Sequence, residues 1–253
     1  MKKTKKYFFL LILILVSIFI GYENPKLVEN PKKIFKFFFS KPEITVKNPV
    51  NIETSIKEIE ANSFTLSYEK VFEFNNKSAF LKIISKDNLD NIFTVFTQEG
   101  NRENMQEIEK LKISLSFFTE KNGGIKSVIE IDGDYFLLTS NKNLNCYYAA
   151  LVRLSDNKQL IKSQCLPDKE NIDFAGLGGG YVSIGESVLL AIGTPAHESE
   201  IINNLAQNSN SIFGKIIKIK KSDLVNSSLE KVDYEIYTSG HRNPQGMTII
   251  NDT

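Results

Sequence analysis

From about Ile52 onward the chain is a succession of short segments rich in Phe, Val, Ile and Thr, separated by Asn, Asp, Lys and Gly. "SFTLSYEKVFEF", "AFLKIIS" and "NIFTVFTQ" come first. "SVIEIDGDYFLLTSN", "CYYAALVRL", "QLIKSQCL", "YVSIGESVLLAIG", "SIFGKIIKIKK" and "VDYEIYTSG" follow, at intervals of very roughly ten residues. β-branched and aromatic side chains fit a pleated, half-buried surface, and the turn residues between them end each run after a few positions. Short strands at such spacing restrict the fold to a sandwich, a barrel or a propeller. The chain therefore reads as all-β. No exact internal repeat of the WD40 kind is present. One helix-like insertion, "HESEIINNLAQN", interrupts the strands. In "RENMQEIEKLKISLSFF" the first half reads as a helical turn or two and the second half alternates as a strand.

With 253 residues, 42% hydrophobic and 24% charged, the chain is long enough to bury a real core. Its 31 basic and 30 acidic side chains leave a net charge of +1. That balance gives no basic footprint and no charged tail, which argues against a nucleic-acid partner.

The N-terminus is different in kind. Lys2, Lys3, Lys5 and Lys6 precede an uncharged apolar run from Tyr7 to Tyr22. A soluble helix that is apolar all round would need cover on every side, so residues 1–22 read as an export signal. No small-residue cleavage site follows, which favours an uncleaved anchor with the lysines inside over a cleaved peptide. Either way the rest lies outside the cytoplasm, on the periplasmic side of the inner membrane. Prolines 25, 31, 42 and 49 fragment residues 23–50 into a linker. Phe35, Phe37, Phe38 and Phe39 within it lie at the bilayer surface or pack onto the folded part, residues 51–253.

Two cysteines, Cys146 and Cys165, flank "YYAALVRLSDNKQLIKSQ". That stretch predicts a hairpin turning at Ser155-Asp156, with a bulge able to adjust the register by one residue. A disulfide and a pair of buried free thiols are both compatible with it.

"AGLGGGYVSIG" carries Gly176 and Gly178 to Gly180. A strand rather than a helix follows, and no Lys-Ser/Thr pair is present, so a phosphate-binding loop does not fit. Glycines there imply close approach of a neighbour or a ligand. His197 and His241 are far apart, and no cluster has the spacing of metal ligands. In "TSGHRNPQGM", by contrast, chemistry concentrates. Arg242 offers a planar fork of donors and Asn243 adds an amide beside it. Pro244 fixes φ, while Gly240 and Gly246 let the chain bend on either side. Such a loop suits a planar anionic ligand; an arginine pinning neighbouring carbonyls is the plainer alternative.

"SGHRNPQGM" resembles the corresponding segment of the soluble glucose/sorbosone dehydrogenase family. "VLLAIGT" is similar to that family's strand ending in I-G-D, and "AQNSNSIFGKIIKI" to its A-Q-D…L-G-K segment. The resemblance runs from about Gly176 to the end. It implies a six-bladed β-propeller, incomplete in this chain, that uses the quinone PQQ. It implies that Arg242 and Asn243 bind the cofactor, that an aldose is the substrate, and that a respiratory acceptor takes the electrons. A histidine base takes the anomeric proton in the family, and Ca2+ polarises the quinone.

The departures are specific. The family histidine falls on Ala175 without gaps, or on Phe174 with one, and neither side chain accepts a proton. Asp173 adjoins them; His197 is the only other imidazole upstream of the motif, in a different loop. The I-G-D aspartate is Thr194. The acidic segment that supplies the calcium ligands is expected beyond Thr253. These departures set a sugar dehydrogenase against a propeller that binds or scaffolds without catalysis. A cofactor-free envelope adhesion or assembly module is the third class.

Overall fold

Strand pairing in this chain is local: each run folds back on the next through a short turn. The computed structural model describes residues 44–46, 56–61, 64–69, 80–85, 93–104, 107–167, 171–196, 199–226 and 228–250. The apolar run of residues 1–22, phenylalanines 35 and 37–39, and His197 lie outside them. Among the described residues no helix is long and apolar enough to cross a membrane.

Strand β1 (Ile44–Val46) sits between two prolines and pairs antiparallel with a strand more than sixty residues later. β2 (Ile56–Ala61) and β3 (Phe64–Glu69) form a hairpin of their own. β4 (Phe80–Ser85), β5 (Phe93–Thr97), β6 (Asn101–Glu103) and β7 (Glu107–Lys110) make a meander whose last strand carries β1. β8 (Ile125–Ile131), β9 (Asp134–Asn143), β10 (Cys146–Arg153) and β11 (Lys158–Lys162) make the second, with the short β12 (Leu166–Pro167) beside β10. β13 (Gly178–Ile184), β14 (Ser187–Ile192), β15 (Lys215–Lys220) and β16 (Glu235–Ser239) make the third. Every pairing is antiparallel. The three meanders meet through their first strands, since β8 lies against both β4 and β13. Four-stranded meanders joined in that way are the blade arrangement of a propeller. They do not close into a ring among the described residues.

Burial on β9 and β10 explains why the middle sheet is so apolar. Phe136, Leu138, Tyr147, Ala149 and Leu151 point to one side and pack with Val188, Leu190, Ile192, Ile217 and Ile219 of the third sheet. The alternate residues Leu137, Tyr148, Ala150 and Val152 point the other way, onto Phe96 and Ile113. A sheet covered on both faces needs apolar residues at consecutive positions, which is the run "YYAALV". Each such side chain fully removed from water contributes about 1.5–3 kcal/mol.

Two buried cations brace the meanders. Arg153, 1% exposed, pairs with Asp156 (2.8 Å) and donates to the Leu224 and Asn226 carbonyls at 3.0 and 2.9 Å. This ties the second hairpin to the short helix Lys221–Val225 of the third sheet. Arg153→Met should lower stability by about 3 kcal/mol, because two carbonyls and a carboxylate lose their donor together. A lowered urea midpoint with an unchanged slope is the expected signature. Lys215, also 1% exposed, donates to the Leu205, Ala206 and Phe213 carbonyls, and burial holds its amine below the ordinary lysine range.

The hairpin between the cysteines forms as the sequence predicts. Arg153 faces Lys158 and Val152 faces Gln159, then a bulge after Leu151 shifts the register, and Cys146 comes to face Pro167. Cys146 and Cys165 are joined by a disulfide, with Cα atoms 5.3 Å apart. The insertion before β15 is helical, with an α-turn at Glu200–Asn203 running into a 3-10 turn at Asn204–Ala206.

"RENMQEIEKLKISLSFF" corrects the expectation. Its first half is strand, turn and strand, because Asn104 accepts the Glu107 N–H on its side chain (2.8 Å) and donates its own N–H to the Glu107 carbonyl. Such an asparagine turn outcompetes the helix. Its second half, residues 111–118, has no regular pairing, although Ile113 is buried there.

Candidate functional site

The chain leaving β16 turns back across its own sheet instead of leaving it. The Gly240 N–H donates to the Ala206 carbonyl (3.1 Å) and the His241 N–H to that of Gly214 (3.0 Å). The Thr194 N–H donates to the Arg242 carbonyl (2.8 Å) and the Gly180 N–H to that of Pro244 (3.1 Å). Four backbone bonds thus lay residues 240–244 over the ends of β13, β14 and β15. Glycine is required where the loop crosses. A Cβ on Gly180 would stand 2.9 Å from the Gly246 Cα, and one on Gly193 2.7 Å from the Arg242 oxygen. The glycine-rich strand therefore makes room for the R-N-P-Q-G loop.

With its backbone committed, the loop turns its side chains outward. Arg242 and Asn243 are both exposed. Asn243 Oδ1 accepts from Gln245 Nε2 (2.7 Å), which leaves its amide N–H groups unspent. Arg242 makes no side-chain hydrogen bond or ion pair among the described residues. His241 is tied inside its own turn, with Nε2 at 2.7 Å from Thr238 Oγ1.

The two positions that the resemblance gives to the catalytic histidine differ sharply. Phe174 is fully buried, its ring edge-on to Phe118 (6.3 Å) and Tyr147 (6.0 Å). Ala175 is exposed, and its carbonyl lies 3.5 Å from Gln245 Nε2 of the loop. Of the two, only position 175 is exposed, on the side where Gln245 of the loop approaches. Asp173 is already engaged: it accepts from the Ala175 N–H (2.7 Å), capping the 3-10 turn Phe174–Leu177, and from Asn122 Nδ2 at 3.0 and 2.8 Å. Thr194, at the I-G-D aspartate position, is buried, and its Oγ1 has no partner among the described residues.

One group escaped the sequence reading. Lys126 opens β8 at a bulge: Ile125 faces Thr139 and Ser127 faces Leu138, so Lys126 is the unpaired residue between them. Its side chain is half-buried, and burial pushes the amine down to about 8, against the Asp173 carboxylate, which favours the charged form. The only signal in the sequence was a lysine near the start of a mostly apolar strand, which an exposed edge would also produce.

A cleft of about 540 Å³, lined by Glu130, Asp132, Ser183, Glu186 and Lys221 among others, opens at the far ends of β8 and β13. It is remote from the loop. Among the described residues no three His, Cys, Asp or Glu side chains converge on a metal position. A flat polyanion does fit the residues present, since the Arg242 guanidinium, the Asn243 amide and the Lys126 amine all retain free donors.

No curated protein and no solved structure matches the chain. Residues 135–253, from the start of β9 onward, match the family model described as Glucose / Sorbosone dehydrogenase. The match reaches further upstream than the motifs that carried the resemblance. Over that span, just under half of the chain, the protein is similar to the glucose/sorbosone dehydrogenases, a family of β-propellers.

Proposed function

We propose that the face formed by residues 240–247 and the first residues of β8 and β13 binds PQQ, and that the protein oxidises an aldose with the bound quinone as hydride acceptor. The observation that carries this reading is the division of labour in the loop. Backbone groups of Arg242 and Pro244 make the structural bonds, while the Arg242 guanidinium and the Asn243 amide N–H groups stay free. A loop backbone fixed before the ligand arrives confines the ordering cost of binding to the side chains themselves. The Arg242 fork suits a carboxylate bidentately, and the Asn243 amide can donate to a neighbouring oxygen. When bound, the quinone supplies two-electron oxidation, and the chain supplies its place beside the sugar. A respiratory carrier would take the electrons onward. The Cys146–Cys165 disulfide supports a site outside the cytoplasm, since cytosolic thiols are kept reduced.

A second reading, a propeller that binds without catalysis, is favoured by the side chains at positions 174 and 175, neither of which accepts a proton. Titration of the purified protein with PQQ, followed by dye reduction on aldoses with PQQ and calcium, separates the two. Saturable binding with sugar-dependent dye reduction is the expected result. Binding without turnover leaves the second reading, and no binding at all overturns the proposal.

A further inference from the structure

We propose that Lys126 is the group that takes the proton of the substrate hydroxyl, in place of the histidine absent at positions 174 and 175. This rests on the quinone reading above and goes beyond it by naming the base.

Three observations converge on that residue. It is the extra residue of a β-bulge at the start of the strand shared by all three meanders, and bulges next to functional sites re-aim a side chain. Its carbonyl lies against Gly179, one residue before the glycine whose N–H holds Pro244 of the R-N-P-Q-G loop. Its half-buried amine makes no hydrogen bond or ion pair among the described residues, so it is unspent. The alternatives are occupied or unsuited. Asp173 caps a turn and holds Asn122, His241 is bonded to Thr238, and a guanidinium does not give up its proton.

Of the charged groups described on the elements packed against it, Asp173 is the one whose field reaches the amine. β9 opposes it with Thr139 and Leu138, and β13 with Gly179. The side chains of β4 lie outside the described residues. Burial already brings the amine close to neutrality near pH 8, the condition for accepting a proton. In the step itself the O–H bond at the sugar's C1 breaks and its proton adds to the neutral amine. The hydrogen on C1 leaves with its electron pair to the ortho-quinone, which is reduced by two electrons. The C1–O bond becomes a carbonyl.

The test compares wild type, Lys126→Arg and Lys126→Met, each titrated with PQQ and assayed for aldose-dependent dye reduction. Arginine keeps length and charge but accepts no proton, so it distinguishes a base from a mere cationic contact. The expected result is PQQ affinity within about threefold of wild type for Lys126→Arg, with turnover lowered by about 10²–10⁴. Wild-type kcat/KM should rise with pH to a plateau above about 8. Competitive acetylation of the wild type, read by mass spectrometry, should show Lys126 reacting with a midpoint near 8 and slowed by PQQ. Turnover by Lys126→Arg near the wild-type rate overturns the proposal, as does a labelling midpoint in the ordinary lysine range. Wild type that binds PQQ and oxidises no aldose overturns it too while leaving the cofactor site standing. Failure of wild type to bind PQQ defeats the quinone reading itself, and the role of Lys126 with it.

Discussion

Gly179→Ala should destabilise the protein by about 4 kcal/mol, a large effect for a single methyl group. Two costs coincide at this residue. Its φ of +122° lies where an L side chain is strained, and the new Cβ would drive into the carbonyl of Lys126 on the adjoining sheet. Both partners are backbone in paired strands, so neither can swing aside as a flexible side chain would. Gly185→Ala is the matched control. It also has positive φ (+49°), but nothing lies within 4 Å of the new methyl, so about 1 kcal/mol is expected. Urea unfolding of the two variants, compared with wild type, isolates the clash from the strain. A Gly179→Ala variant no less stable than Gly185→Ala would show that β13 does not approach β8 as closely as described.

Arg242→Ala should weaken PQQ binding by about a hundredfold, the loss of a two-point charge-assisted contact. It should change folding stability by less than about 0.5 kcal/mol. The separation follows from geometry. The Arg242 carbonyl, which holds Thr194, survives the substitution, and the exposed side chain that is removed touches no described partner. An arginine whose work is structural would give the opposite pair of results: a lowered unfolding midpoint and unchanged affinity. Equilibrium titration and urea unfolding on the same preparation distinguish them.

Strand content was legible because it rests on local chemistry. The "YYAALV" run, the turn at Ser155-Asp156 and the helical insertion after Thr194 all fold as their residues dictate. What sequence missed is the punctuation inside longer runs. "SVIEIDGDYFLLTSN" is two strands folded about Asp132-Gly133, both at positive φ, and "YVSIGESVLLAIG" is two strands folded about Gly185. Each reads as one apolar stretch because both of its strands are buried on at least one face.

The site divides in the same way. Arg242 and Asn243 stand out in sequence because their chemistry exceeds what a turn needs. The reason for the glycines before them is invisible there, since it lies in a loop sixty residues later that crosses their backbone. Sequence also left Phe174 and Ala175 equivalent, whereas burial separates them: one ring closes the core, and the other position opens on the loop. Lys126 was missed because a bulge decides where it sits, and a bulge is a property of two strands rather than one.

The most direct measurement follows the side-chain N–H signals of Arg242 and Asn243 by NMR as PQQ is added, with the Gly180 and Thr194 amides as reporters of the loop's anchorage. The account predicts that both side-chain signals shift with a single midpoint at one equivalent of ligand, while the two amides stay protected from exchange throughout. Side-chain signals that do not move at saturating PQQ, or amides that exchange freely before it is added, would contradict it.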